Sequence, residues 1–287
     1  MKSNLLHSIE SGVSNGLTLV FIPGLSGTTR YWEGRLGVLE ENHRILLIDP
    51  LGFGDSPKPW SRYTVDSHVD ALYQTLKNEK RFVLIGHSMG TLLSIAYAAR
   101  HPGQVERLVL LSVPFFGSAK EAHRFFDSQP IPFGWFFSNM VLAAVICMIT
   151  RRIFGWLVPY FRRDLPREVA TDIVKHSWRS FTSSFWEVVC NYNAKRDADK
   201  LGALPILCIH GDQDNTAPLT GAMALANGRK NWQIHVLDGV DHHPWLRALE
   251  ICQRDVDTGA IYQEYSYRSG RHYSKTSLSP HKAFYIH

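Results

Sequence analysis

The chain has 287 residues, of which 45% are hydrophobic and 20% charged, and its formal net charge at pH 7 is +5. This length suits one large α/β domain with an insertion or two small domains, and the composition excludes a disordered chain. Apart from arginine pairs at 151–152 and 162–163, the basic residues are scattered rather than gathered in a stripe, so we expect no nucleic-acid partner.

Apolar runs alternate with helical patterns through the first 114 residues. Four runs that end at or near Gly or Pro predict strands: 17–24, 43–52, 82–86 and 105–113. Between them, residues 67–79 and 90–102 carry apolar side chains at helical spacing. Continuous apolar strands that alternate with helices predict an α/β fold with a mostly parallel central sheet and helices on both faces.

The alternation stops at about residue 114 and resumes at about residue 201. Residues 115–200 are rich in Phe, Trp and Arg and show helical patterns without a strand. Strands are predicted again at 205–212 and 232–240, followed by one closing helix at 243–255. We therefore predict a core formed by residues 1–114 and 201–258, a helical insertion at 115–200, and a poorly ordered tail at 259–287.

One stretch of the insertion, residues 132–150, contains no charge and approaches the length of a membrane span. Pro132 and Gly134 at its start, and Ser138 and Asn139 within it, argue against a span. We expect a buried or pocket-lining helix here. The alternative, which we favour less, is an apolar patch that touches lipid.

The cysteines indicate neither a metal site nor a redox motif. Cys147, Cys190, Cys208 and Cys252 stand far apart and form no C-x-x-C pair, so we expect free buried thiols. The N-terminal residues lack the long apolar core of a secretory signal. We expect a cytoplasmic protein.

The sequence Gly86-His87-Ser88-Met89-Gly90 matches G-x-S-x-G between a predicted strand and a predicted helix. In that setting the serine takes a strained conformation that projects its side chain from the corner. The helix start behind it supplies backbone N–H groups for a developing negative charge. A tight turn with an incidental serine is the alternative, but the strand–turn–helix context favours a nucleophile.

With three further motifs, this corner makes the chain resemble the α/β-hydrolase superfamily of serine esterases and lipases, from about residue 5 to residue 257. The further motifs are PGLSGTTRYW at 23–32, DPLGFGDS at 49–56, and the late pair HGDQDNTAP at 210–218 and GVDHH at 239–243. The resemblance implies the α/β-hydrolase fold, with the insertion as a helical cap.

The resemblance further implies a catalytic triad of Ser88, Asp214 and His242. The family pattern favours His242 over His243 as the base. It also favours Asp214 over Asp212, which we interpret as a turn-capping carboxylate. The neighbours nevertheless remain the alternatives for the base and the acid.

The resemblance also implies an oxyanion hole formed by the backbone N–H groups of Leu25 and Met89. Relatives usually have a histidine where this sequence has Pro23, a change that leaves the donor at Leu25 in place. Asp49 and Asp55 belong to a loop that is mainly structural in the family, and we expect them to bind local backbone donors.

A Ser-His-Asp triad with an oxyanion hole implies acyl transfer to water through an acyl-enzyme, with no cofactor and no metal. The aromatic insertion favours a small-molecule ester with an apolar acyl or aromatic group. Three alternatives stay open: a C–C bond hydrolase, a cofactor-free haloperoxidase or perhydrolase, and a hydrolase-like ligand-binding protein with little turnover.

Overall fold

A computed structural model of the chain describes residues 5–130 and 139–259. The predicted tail lies outside these residues except for Gly259. The aromatic residues Phe133, Trp135, Phe136 and Phe137 of the insertion also lie outside them.

A seven-stranded sheet forms the centre of the described protein. Its strands are β1 Ser8–Gly12, β2 Thr18–Ile22, β3 Arg44–Ile48, β4 Phe82–His87, β5 Val105–Leu111, β6 Ile206–Gly211 and β7 Trp232–Leu237. They lie in the order β1-β3-β2-β4-β5-β6-β7, and every neighbouring pair is parallel except β1 with β3. The predicted mostly parallel sheet is confirmed.

The sequence pattern predicts six of these strands and misses β1. Strand β1 pairs antiparallel with β3 at the edge of the sheet, with Ser8 opposite Ile48 and Gly12 opposite Arg44. Its residues alternate between exposed and half-buried, so it lacks a continuous apolar run. An antiparallel edge strand can face water on one side, and for that reason its sequence stays polar.

Helices flank the sheet, and several of them lie in the described part of the chain between β5 and β6. The α-helices are α1 Val38–Asn42, α2 Val65–Leu76, α3 Met89–Arg100, α4 Ala119–Asp127, α5 Met140–Ile149, α6 Val158–Phe161, α7 Arg167–Asp172, α8 Trp178–Ser184, α9 Ala194–Ala198, α10 Leu219–Ala226, α11 Pro244–Arg247 and α12 Leu249–Thr258. The single closing helix predicted at 243–255 is instead two helices, because Ala248 leaves the helical region at φ −131° and ψ 52°.

The two faces of the sheet bury separate apolar clusters, which explains the unbroken hydrophobicity of its parallel strands. In β2, Val20 and Ile22 belong to one cluster, while Leu19 and Phe21 belong to the other. The ring of Phe21 lies 5.6 Å from that of Trp245, which is fully buried. Both faces are therefore covered, as the apolar strands predict.

Helix α5 forms most of the described part of the uncharged segment. Ala143 and Cys147 are buried, but Val141 is 74% exposed and Val145, Met148 and Ile149 are exposed as well. The helix therefore buries one side and presents an apolar side to solvent. The inner side agrees with the predicted buried or pocket-lining helix, whereas the exposure of the outer side was not predicted.

Polar contacts join the helical insertion to loops of the sheet domain. The buried carboxylate of Asp172, the last residue of α7, accepts a hydrogen bond of 3.0 Å from Thr28 Oγ1 in the loop after β2. In α8, Ser180 Oγ donates to the carbonyl oxygen of Gly52 at 2.9 Å. The insertion is thus anchored beside the carboxyl ends of the strands.

Two buried histidines predict a loss of stability in acid. Burial lowers the pKa of His68, whose Nε2 lies 2.9 Å from Ser184 Oγ, to about 3, and burial likewise lowers the pKa of His87 to about 3. The unfolded chain binds these protons at about pH 6.5, so stability falls as the pH drops from about 6.5 toward 3. At pH 5 each histidine should cost about 2 kcal/mol of the free energy of unfolding.

The check is the melting temperature of wild type and His68→Gln at pH 7 and pH 5. Glutamine can keep a hydrogen bond to Ser184 but does not titrate, so the variant should lose less stability between the two pH values. An equal loss in both proteins would show that His68 does not contribute to acid sensitivity.

Candidate active site

Ser88 occupies a strained corner between β4 and α3. Its backbone has φ 50° and ψ −121°, a conformation that costs a non-glycine residue about 1–3 kcal/mol. A Cβ atom on Gly90 would lie 2.3 Å from the carbonyl oxygen of Ile22, and one on Gly86 would lie 2.6 Å from that of Gly90. Both flanking glycines are therefore required for the close packing that holds the serine in place.

His242 lies between Ser88 and Asp214 and contacts both. Its Nε2 is 2.9 Å from Ser88 Oγ, and its Nδ1 is 3.0 Å and 2.9 Å from the two carboxylate oxygens of Asp214. Ser88 follows β4, Asp214 follows β6 and His242 follows β7. The carboxyl ends of these strands lie at the same edge of the sheet. With its proton on Nδ1, the imidazole can donate to Asp214 and accept from the Ser88 hydroxyl.

The surroundings of Asp214 keep it ionised. Burial has the largest influence and raises the pKa of Asp214, but the hydrogen bond and charge of His242 act against it, with help from the Ala217 N–H and from His210. Together they outweigh burial and lower the pKa to about 2. Asp214 Oδ1 also accepts from the N–H of Thr216 at 2.9 Å. The carboxylate is therefore an anion at neutral pH.

The two neighbouring alternatives have other partners. Asp212 Oδ1 accepts a hydrogen bond of 2.7 Å from the Gly239 N–H and so ties together the loops after β6 and β7. The N–H of His243 donates to Asp241 Oδ1 at 2.9 Å, and its ring lies 5.9 Å from that of Tyr31. Burial lowers the pKa of His243, which keeps that imidazole neutral.

The loop after β3 is organised by Asp49. Its Oδ1 accepts from the Thr29 N–H at 2.7 Å and its Oδ2 from the Asp55 N–H at 2.8 Å. Asp55 contributes that N–H, whereas its own carboxylate lies 4.0 Å from Lys175 Nζ. His7 joins the two carboxylates in a group whose ligand atoms lie within 4.8 Å of one another. Both Asp49 oxygens thus accept backbone donors, and this carboxylate holds the loop together.

The two backbone donors expected for an oxyanion hole lie next to Ser88. Met89 is the first residue of α3, so its N–H has no acceptor within the helix. The loop that carries Leu25 packs against the serine, since a Cβ atom on Gly24 would lie 3.0 Å from Ser88 Cβ. Leu25 and Ser88 also line the same cavity. The loop after β2 and the start of α3 thus flank the hydroxyl.

Comparison with known proteins identifies this architecture. The family model described as the alpha/beta hydrolase fold matches residues 18–147. A thermophilic esterase from Thermogutta terrifontis superposes with a TM-score of 0.69 at 17% identity, over 88% of this chain and 92% of that one. A bromoperoxidase from Bacillus anthracis gives 0.68 at 22% identity, over 90% and 95%.

The chain has the α/β-hydrolase fold. Among curated relatives it is similar to two Arabidopsis thaliana proteins. It is 27% identical to "Probable lysophospholipase BODYGUARD 4" over 82% of this chain and 61% of that protein. It is 34% identical to "Probable lysophospholipase BODYGUARD 1" over 85% and 60%. The chain thus spans less than two thirds of the length of either relative.

In this α/β-hydrolase fold, a cavity of about 450 Å³ opens above Ser88 and His242. The helical insertion supplies most of its apolar wall: Phe125, Phe126, Ile146, Cys147, Val158, Leu165, Val169, Ile173, Phe181 and Phe185. Polar groups near the triad come from Asn215 and Thr216 in the loop after β6. The cavity therefore offers an apolar interior beside the Ser88 hydroxyl.

Two site residues were missed by sequence reasoning. His87 Nε2 donates to the backbone carbonyl of His242 at 2.8 Å, and its ring stacks on Tyr31 at 4.5 Å. Ser26 has φ 61° and lines the cavity, and its buried hydroxyl has no hydrogen-bond partner among the described residues. His87 could have been suspected from its place beside Ser88 in the motif. Nothing in the sequence around Ser26, apart from the glycine that follows it, indicates a residue of the site.

Proposed function

We propose that the protein is a serine hydrolase that cleaves a carboxylic ester with an apolar acyl or aromatic group through an acyl-enzyme intermediate. Ser88 is the nucleophile, His242 the base and Asp214 the acid that orients it. The observation that carries this proposal is the hydrogen-bonded series Ser88–His242–Asp214 at the floor of an apolar cavity.

In the proposed mechanism, Ser88 Oγ attacks the ester carbonyl carbon while His242 Nε2 takes the hydroxyl proton. The anionic Asp214 stabilises the imidazolium, and the N–H groups of Leu25 and Met89 bind the developing oxyanion. His242 then returns the proton to the leaving alcohol. A water molecule, deprotonated by His242, attacks the acyl-enzyme and restores Ser88.

The apolar cavity wall supports an acyl chain as the buried part of the substrate. The names of the curated relatives agree with this choice, because a lysophospholipid carries one acyl chain in ester linkage to a glycerol that also bears a polar phosphate headgroup. The polar side chains of Asn215 and Thr216 lie on the wall near the triad. We therefore propose long-chain acyl esters, lysophospholipids among them, as the substrate class.

The proposal is tested by labelling with a fluorophosphonate and by turnover of p-nitrophenyl esters and lysophosphatidylcholine. We expect one covalent label on Ser88 and higher kcat/KM for longer acyl chains. Labelling without turnover of any ester would instead favour a ligand-binding protein. No labelling at all would contradict the proposed nucleophile.

Narrowing the cavity should change the preferred chain length. Ile146 lines the cavity from α5, so Ile146→Trp should lower kcat/KM for a decanoyl ester relative to an acetyl ester by about tenfold or more. The ratio of the two kcat/KM values measures this effect. Met148→Trp is the matched control, because Met148 lies on the same helix and is exposed. Equal ratios in the two variants would contradict the assignment of this cavity to the acyl chain.

A further inference from the structure

The insertion contains a continuous helical run, residues 140–161, formed by α5, a π-helical turn at Thr150–Phe154, a 3-10 turn at Gly155–Leu157, and α6. The backbone stays in the right-handed helical region at the junctions. Ile149 has φ −65° and ψ −50°, Gly155 has φ −55° and ψ −34°, and Leu157 has φ −86° and ψ −18°. Side chains three or four positions apart along this run therefore share one face.

That spacing places a row of large apolar side chains in solvent. We call the row the outer cap face; its members are Val141, Val145, Met148, Ile149, Ile153, Trp156, Tyr160 and Phe161. Trp156 is 69% exposed and Phe161 is 80% exposed. Contiguous apolar surface of this kind marks an interaction site with a protein or a membrane.

The charges around the outer cap face distinguish between those partners. Residues 139–163 contain four arginines, at 151, 152, 162 and 163, and no Asp or Glu. Arg152 and Arg163 are exposed, and Arg162 pairs with Asp164 at 2.8 Å. Arg162 also lines the cavity, so the exposed basic residues at the border of this face are Arg152 and Arg163. An apolar helical face bordered by exposed arginines is typical of helices that lie in the surface of an anionic bilayer.

The same helical run also lines the cavity above Ser88. The cavity wall includes Ile146, Cys147, Thr150 and Val158. Val145 and Ile149, which directly precede Ile146 and Thr150 in the chain, belong to the outer cap face. A surface bound to the outer cap face would therefore be separated from the cavity by the thickness of a single helix.

We propose that the outer cap face docks on the surface of an anionic phospholipid bilayer, with its apolar side chains among the acyl chains and with Arg152 and Arg163 against the headgroups. The contact that we propose is interfacial. Within residues 5–130 and 139–259, no helix is both long and apolar enough to cross a bilayer. Docking of this kind does not depend on the proposed hydrolysis.

Co-sedimentation with vesicles tests the proposal. The full-length Ser88→Ala protein is used so that binding is measured without hydrolysis. We expect it to sediment with phosphatidylcholine vesicles that contain phosphatidylglycerol, and to bind more weakly to phosphatidylcholine alone or at high salt. In that background, Val141→Asp and Trp156→Asp should each lower the partition coefficient about tenfold or more. Arg152→Glu should lower it several-fold.

Val13→Asp is the matched control for Val141→Asp. Val13 is an exposed valine that directly follows Gly12. Gly12 pairs with the first residue of β3, so Val13 lies near the amino ends of the parallel strands, away from the carboxyl ends that carry Ser88. This variant should bind vesicles as its parent does.

Both Val141→Asp and Trp156→Asp should leave the melting temperature unchanged, because the replaced side chains are exposed. In the protein that retains Ser88, both should also keep activity on a soluble acetyl ester.

Three outcomes would overturn the proposal. The first is a protein that does not sediment with anionic vesicles, and the second is vesicle binding by Trp156→Asp equal to that of its parent. The third is a dimer in light scattering that Trp156→Asp dissociates while vesicles remain unbound, since the face would then join two copies of the chain. None of these outcomes depends on whether the protein hydrolyses esters.

Discussion

Ser88→Ala is expected to fold normally and to lose ester hydrolysis by about a millionfold in kcat, the loss found when a serine nucleophile of a triad is removed. Alanine keeps the Cβ atom that the corner accommodates at φ 50°, but it has no oxygen to attack the ester. The initial rate with a p-nitrophenyl ester and the yield of fluorophosphonate label measure the loss. The melting temperature reports on folding.

Ser112→Ala is the matched control for this substitution. Ser112 also has a positive φ of 55°, is buried, and follows the neighbouring strand β5, so the change carries the same kind of backbone and packing cost. It should retain most activity. A Ser88→Ala protein that keeps even a tenth of the wild-type rate would exclude Ser88 as the nucleophile.

The parallel strands could be predicted because each is buried on both faces. In β4 all six residues are buried, and the first four, Phe82 to Ile85, form an apolar run that is visible in the sequence. Strand β1 could not be predicted in the same way, since its pairing with β3 depends on an edge that exists only once the sheet has formed. The break at Ala248 between α11 and α12 likewise leaves no sequence signal, because alanine favours helices.

The position of Ser88 followed from a local pattern, whereas its partners are brought to it by the sheet. His242 is 154 residues away in sequence from Ser88, and only the shared edge formed by β4, β6 and β7 brings them within 2.9 Å. The family resemblance supplied the choice of His242 and Asp214, which spacing alone left open. The exposure of Val141 was not predictable, because an uncharged helix has the same sequence pattern whether its outer side meets protein, lipid or water.

The acid and the base of the proposed triad can be tested by identical substitutions at neighbouring positions. Asp214→Asn should lower kcat about ten-thousandfold, because the amide has no charge to stabilise the imidazolium and can hold the wrong tautomer of His242. Asp212→Asn should keep most activity, since an amide oxygen can still accept from the Gly239 N–H. His242→Ala should lower kcat by about ten-thousandfold to a millionfold.

His243→Ala should keep most activity, although removal of its half-buried ring leaves a cavity behind and the melting temperature should fall. All four variants are compared in one assay by kcat with a p-nitrophenyl ester and by melting temperature, so that lost chemistry is separated from lost folding. The proposed assignment requires the larger loss at Asp214 and at His242. A larger loss at Asp212 or at His243, with the fold intact, would move the acid or the base to that neighbour, despite the contacts of 2.9 Å that His242 makes to Ser88 and to Asp214.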